Sequence, residues 1–168
     1  MIRLVLGGEK SGKSDMAYAL FREAPGPGLI LAMGLARDMA FRRQILEHRL
    51  LRDPVVPVVE PGLELAASLE GALREGRNAL VDSLDFWVFA CLEDGRDRTG
   101  ELLAALAGFE APDGPECVLV SCEVGLGPVA PTSLVRRFIR AQGALNQALA
   151  ARASSVRLAV AGLSVTLK

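Results

Sequence analysis

Apolar and polar positions along the 168-residue chain follow two periods in alternation. Short apolar runs occupy residues 2–6, 29–33, 55–59, 79–81, 118–121 and 156–160. The run Leu29-Ile30-Leu31-Ala32-Met33 has no polar side, which predicts a strand buried on both faces. Between these runs, residues 13–21, 40–51, 63–75, 102–107 and 134–151 read as helices. This β-α alternation predicts an α/β fold, a mostly parallel sheet flanked by helices on both faces. Gly162-Leu163-Ser164 predicts a tight turn into a last strand at 165–167, antiparallel and at an edge. Ala24-Pro25-Gly26-Pro27-Gly28 reads as a connecting loop, residues 94–99 and 111–116 as polar turns, and 125–131 as a rigid loop. No repeat or composition shift divides the chain, so one domain over 1–168 is expected.

Composition narrows the class. At 51% hydrophobic and 23% charged the chain can build a core, and its net charge of −1 provides no basic excess for nucleic acid. It opens on a strand-like run, and no apolar stretch is long enough to span a bilayer. The expectation is a cytoplasmic protein without membrane insertion. Cys91, Cys117 and Cys122 are odd in number and lack metal-ligand spacing; Cys91 and Cys117 read as small buried hydrophobes.

The most informative segment is Gly7-Gly8-Glu9-Lys10-Ser11-Gly12-Lys13-Ser14, which matches G-x-x-x-x-G-K-[ST]. It follows a predicted strand and opens a predicted helix, the context this phosphate-binding loop requires. Glycines let backbone N–H groups turn inward onto phosphate oxygens, and the helix presents its positive end to the same anion. Lys13 would reach the β- and γ-phosphates, and the Ser14 hydroxyl would ligate Mg²⁺. The fold expectation therefore sharpens to the phosphate-loop NTPase type, with a C-terminal antiparallel edge strand.

Other residues have competing readings. Asp82 ends a core strand, where a carboxylate would join the Mg²⁺ shell; the alternative is an N-cap for a helix starting near Leu84. His48 is the only histidine, set among arginines, and reads as base, electrostatic contact, nucleophile or plain surface residue. Glu60, after a strand, would place a carboxylate in the same crevice. Glu123 reads as an acidic contact or a turn residue, and Asn146-Gln147 as amides reaching neighbouring loops or a solvated face.

Several segments together resemble one family, the bifunctional adenosylcobinamide kinase/adenosylcobinamide-phosphate guanylyltransferases of cobalamin biosynthesis. They are G-G-E-K-S-G-K-S at the start, I-L-E-H-R around His48, V-V-E-P at Glu60, and L-V-D-S-L-D-F-W after Asp82. The tail is the most specific: V-S-C-E-V-G-L-G-P-V-A-P, L-V-R-R-F, G-A-L-N-Q-A-L-A and A-G-L-S-V-T-L-K in that order. The resemblance covers essentially the full length. It implies phosphorylation of adenosylcobinamide, with GTP and ATP as substrates, then GMP transfer from GTP through a guanylylated histidine matching His48. It also implies catalytic roles for His48 and Lys13. Nucleotide contacts are implied at Gly7 to Ser14, Ala32, Met33, Gly34, Arg49, Arg52, Glu60 and Asp82, with Mg²⁺ at Ser14 and Asp82. The partners implied are a small-molecule corrinoid and a nucleotide, and the family forms a homotrimer.

The chain departs from the family pattern in places. The acidic D-x-E-M segment reads Asp38-Met39-Ala40-Phe41, the Arg before the family's Ile is Gln44, and N-E-V-G reads Cys122-Glu123-Val124-Gly125. F-R-D reads Phe138-Ile139-Arg140, and A-D-x-V reads Ala153-Ser154-Ser155-Val156. A kinase-only or otherwise divergent small-molecule kinase, and a catalytically silent nucleotide-binding module, therefore stand beside the bifunctional reading.

Overall fold

The computed structural model describes residues 1–34, 54–111, 113–127 and 132–168. Seven strands form one sheet: β1 (Ile2–Gly7), β2 (Gly28–Ala32), β3 (Val58–Val59), β4 (Asn78–Asp82), β5 (Cys117–Cys122), β6 (Ser155–Val160) and β7 (Leu163–Thr166). Their order is β3-β2-β4-β5-β1-β6-β7. All neighbours are parallel except β6 and β7, as the sequence predicts. The described helices are α1 (Lys13–Glu23), α2 (Leu65–Arg74), α3 (Leu84–Asp94), α4 (Thr99–Ala107) and α5 (Ser133–Arg152). None of the described helices is long and apolar enough to cross a membrane.

The period-2 geometry of the strands explains how both faces are filled. Val5, Ile30, Leu80, Val118 and Val120 point to one side, where they meet Ala17, Leu20 and Phe21 of α1. The intervening Leu4, Leu6, Leu31, Ala79, Val81, Cys117 and Leu119 point to the other, into a larger core shared with α2, α3, α4 and α5. Gly28 lies so close to the Phe21 ring that a Cβ there would stand 2.4 Å from Cζ. All three thiols are free and buried.

Several element boundaries differ from expectation, each for a local reason. Of the run 55–59, only Val58–Val59 pairs with β2. Pro57 has no N–H to donate, although its carbonyl still accepts from Ile30 N at 3.0 Å. The last strand starts at Leu163, not at 165, because Ala161 (φ 52°) and Gly162 (φ 79°) make a two-residue turn closed by the Val160–Leu163 pair. Helix α2 is shorter than the predicted 63–75, and α4 starts three residues before 102.

Helix α3 enters the sequence reading only as the helix near Leu84 supposed by the capping alternative for Asp82, since Leu84-Asp85-Phe86-Trp87-Val88-Phe89 is nearly continuous in apolar and β-favouring residues and hides its period. Once folded, it buries Leu84, Trp87, Val88 and Cys91, the i, i+3, i+4, i+7 stripe of an ordinary packed helix. Its N-cap is Ser83, which corrects the capping alternative for Asp82; Asp82 remains the last residue of β4. The predicted helix over 40–51 lies outside the described residues.

Candidate nucleotide-binding site

The parallel strands β1, β4 and β5 end at one edge of the sheet, and the turn from β1 into α1 lies on that edge. Gly12 caps α1 with φ 89°, a left-handed backbone that favours glycine, and no side chain caps the helix. The first N–H groups of α1 are therefore free of a side-chain cap at the place where a phosphate would sit. Gly7 is needed for a different reason: a Cβ there would stand 2.3 Å from Ser11 Oγ and 3.0 Å from the Ala159 carbonyl. Ser11 Oγ itself is buried and has no hydrogen-bond partner.

Lys13 Nζ folds back to donate to the Gly8 carbonyl at 3.1 Å. Ser14 Oγ donates to Asp82 Oδ1 at 3.0 Å, across 68 residues of chain. Ser14 is in the first turn of α1, which packs on β5 and β4, so the helix start carries the hydroxyl to the carboxyl end of β4. The pair comprises a hydroxyl and a carboxylate, the hard oxygen donors that suit Mg²⁺. Among the described residues no group of three His, Cys, Asp or Glu side chains is placed to hold a metal.

Two neighbours were not singled out for this site from the sequence. Asp85, in the first turn of α3, has a buried Oδ1 without a partner. Burial pushes its carboxyl above the usual range, assisted by the Asp82 charge and opposed by the Ser83 side chain and Lys13. A carboxylate three residues past Asp82 is a weak signal until α3 is recognised as a helix that aims it back at the loop. Cys122 ends β5 in register with Gly7. Burial pushes its thiol up to about 11, with Asp85 raising it further and Lys13 pulling it down.

Buried amides support this edge from behind. Ser121 Oγ donates to Asn146 Oδ1 at 2.5 Å, and Asn146 Nδ2 donates to the Cys122 carbonyl at 3.0 Å. Gln142 Nε2 donates to Ser121 Oγ at 2.6 Å. Of the pair Asn146-Gln147, only Asn146 turns inward; Gln147 is exposed, and Gln142, one turn earlier, is the second amide of the network. Glu123 makes one turn bond, its Oε1 accepting from Gly125 N at 2.8 Å, while its N–H donates to the Gly7 carbonyl at 3.1 Å and extends the β1–β5 pairing.

The structure therefore brings Gly7 to Ser14, Asp82 and the end of β2 to one edge. Ala32 pairs with Asp82, and Met33 N donates to the Asp82 carbonyl at 2.9 Å, with Gly34 next in the chain. Glu60 is exposed just past β3, and β2, β4 and β5 separate that strand from β1. At the usual spacing this is roughly 19 Å across the sheet. His48, Arg49 and Arg52 lie outside the described residues.

Comparisons with known proteins agree with this chemistry. The sequence model of the family described as cobinamide kinase / cobinamide phosphate guanyltransferase matches residues 3–167. The bifunctional adenosylcobalamin biosynthesis protein CobP of Pseudomonas aeruginosa is 38% identical, over 98% of this chain and 96% of its own length. The corresponding protein CobU of Salmonella typhimurium is 32% identical over the whole of both chains. Among solved structures, an ATPase of a bacterial type III secretion system aligns with a TM-score of 0.59 at 16% identity, over 98% of this chain and 56% of its own. The type III secretion ATPase EscN of enteropathogenic E. coli aligns with a TM-score of 0.56 at 15% identity, over 98% and 47%. These two likenesses establish a shared fold and nothing more. The chain belongs to the cobinamide kinase / cobinamide phosphate guanyltransferase family.

Proposed function

We propose that this chain phosphorylates adenosylcobinamide with a nucleoside triphosphate. It then transfers GMP from GTP to that phosphate, giving adenosyl-GDP-cobinamide. The observation that carries the reading is the Lys13 ammonium and the Ser14–Asp82 pair gathered at a glycine-shaped loop, within a full-length family match.

In the kinase step the loop amides hold the phosphates, and Lys13 leaves the Gly8 carbonyl to follow the charge developing on the transferred group. Ser14 and Asp82 would hold a Mg²⁺ ion, which when bound neutralises phosphate charge. The substrate hydroxyl attacks the γ-phosphorus, the bond to the bridging oxygen breaks, and the nucleoside diphosphate leaves. In the guanylyl step the neutral imidazole of His48 attacks the α-phosphorus of GTP and pyrophosphate leaves. The cobinamide phosphate then displaces the imidazole and takes the GMP. The covalent intermediate divides one difficult transfer into two easier ones. Arg49 and Arg52 supply cations beside the histidine, and Glu60 contacts the nucleotide. Family resemblance supports these last roles, and also a homotrimer.

A second reading, the kinase step alone, is favoured by one position. Cys122 stands beside Lys13 where the family has Asn, so a polar amide is replaced by a neutral thiol. Incubation with α-labelled GTP separates the two. A protein-bound label stable to base and released by acid marks a phosphoramidate at histidine and supports both steps. Corrinoid phosphorylation without any label leaves a kinase only.

A further inference from the structure

The turn between β6 and β7 is fastened to the phosphate loop. Strand β6 runs parallel to β1 with Ala159 opposite Gly7, so the turn after β6 emerges at the same edge as the loop. Gly162 N donates to the Ser11 carbonyl at 2.9 Å. Gly12 and Gly162 approach so closely that a Cβ on Gly12 would stand 3.3 Å from Gly162 Cα. This turn is thus a wall of the loop, yet the two side chains at its base are apolar and face solvent. Val160 is 53% exposed and Leu163 is 73% exposed. They are directly opposed across the hairpin, so both lie on one face of the sheet. One pair further in on that face, Leu158 packs against the large core, which sets Val160 and Leu163 on the side opposite α1.

Two exposed branched aliphatic side chains held against a phosphate site by a backbone hydrogen bond suit the flat face of a purine. The nucleotide contacts that family resemblance implies at Met33 and Glu60, the latter near guanine nucleotide, lie in the opposite direction, past β5 and β4. The bifunctional reading requires one phosphate loop to serve two donors. We infer that the β6–β7 turn is a second base seat, in which Val160 and Leu163 take the adenine when ATP is the phosphoryl donor of the kinase step. This inference rests on the proposed function, because it presumes phosphates in the loop and a separate guanylyl donor.

The test uses the full chain and three probes: ATP, GTP and inorganic tripolyphosphate, each titrated with Mg²⁺ by calorimetry. Tripolyphosphate reports the loop alone. In wild type, ATP binds more tightly than tripolyphosphate. In Leu163→Asp, ATP affinity falls about tenfold to the level of tripolyphosphate, tripolyphosphate affinity is unchanged, and GTP loses less than ATP. Leu163→Met restores ATP binding. Irradiation with 8-azido-ATP labels the peptide containing residues 160–165. The inference is overturned if the ATP advantage survives in Leu163→Asp, if tripolyphosphate binding falls in parallel, if GTP falls as far as ATP, or if the label maps near Met33. Failure of wild type to bind tripolyphosphate would overturn the loop assignment along with it; the other outcomes overturn the base seat alone.

Discussion

Ser14 Oγ, in the first turn of α1, and Asp82 Oδ1, at the end of β4, meet at 3.0 Å although 68 residues of chain separate them. The parallel sheet makes this possible. The loop after β1 leads into α1, which packs across β5 and β4, so the first turn of the helix sets a short hydroxyl beside the short carboxylate that ends β4. A hydroxyl and a carboxylate so placed are the hard oxygen donors that a small cation bound with the phosphates would use.

If both side chains hold one Mg²⁺, their losses are not additive. Ser14→Ala and Asp82→Asn each raise the Mg²⁺ concentration needed for half-maximal kinase activity by about tenfold or more, and the double variant is little worse than the poorer single. Steady-state rates across a Mg²⁺ series check this; additive losses with unchanged Mg²⁺ dependence refute the shared ion. Lys13→Ala, which removes the cation facing the transferred phosphate, costs on the order of 3 kcal/mol in the transition state, roughly a hundredfold in turnover.

The two adjacent glycines of the loop behave differently. Gly8→Ala places its methyl in open space, so the melting temperature changes little, within about 0.5 kcal/mol of stability. Gly7→Ala drives a methyl into Ser11 Oγ and the Ala159 carbonyl, so it forces the loop away from β6. Stability falls by about 1–3 kcal/mol, and tripolyphosphate binding weakens. Thermal melts and titration on both variants decide whether Gly7 is constrained by packing.

Asn146→Ala takes the side-chain donor from the Cys122 carbonyl and the acceptor from Ser121 Oγ in a buried network, while Gln142 Nε2 still donates to Ser121 Oγ. Leaving buried polar groups unpaired costs about 2 kcal/mol. Denaturant unfolding measures it, while Gln147→Ala at the neighbouring exposed position stays near wild type.

The buried thiols set an alkaline limit. Burial raises Cys117 to about 12, and Cys91 and Cys122 to about 11. Below their ordinary value of 9 they are protonated whether the chain is folded or not, and they do not alter stability. Above it the unfolded chain releases protons that the folded chain keeps, so stability falls as pH rises from 9 towards 12. Melting temperatures across that range decline, and Cys117→Ala flattens the decline. Burial keeps the Cys122 thiol protonated at pH 8, so iodoacetamide labels the native protein slowly.

His48→Ala divides the two activities. Phosphorylation of adenosylcobinamide needs the loop, the metal and a positioned hydroxyl, whereas guanylyl transfer also needs a nucleophile. The variant takes no label from α-labelled GTP and keeps phosphorylating the corrinoid within about threefold. Label retained in His48→Ala would place the nucleophile on another residue.

Local order was legible in the sequence wherever its cause is local. The phosphate loop is contiguous, so eight residues in a row declared it, and alternating apolar runs declared a parallel sheet with an antiparallel edge. Proline explains why 55–59 yields only a two-residue strand, and two left-handed residues explain the turn at Ala161 and Gly162. Helix α3 was hidden because an apolar run with a buried stripe looks the same as a strand until a core exists to choose its face.

The tertiary structure alone decided which distant groups meet. Strand order carries Asp82 to Ser14, not to its own helix as a cap, and the fold of α3 returns Asp85 to the loop. It selected Asn146 and Gln142, but not Gln147, for the buried network, because helical spacing puts the first two on the face that meets β5. It also laid Gly162 against Gly12, a contact between the two ends of the chain that no local pattern records. Sequence patterns report forces acting over a few residues, whereas sheet register and close packing are settled by the whole chain at once.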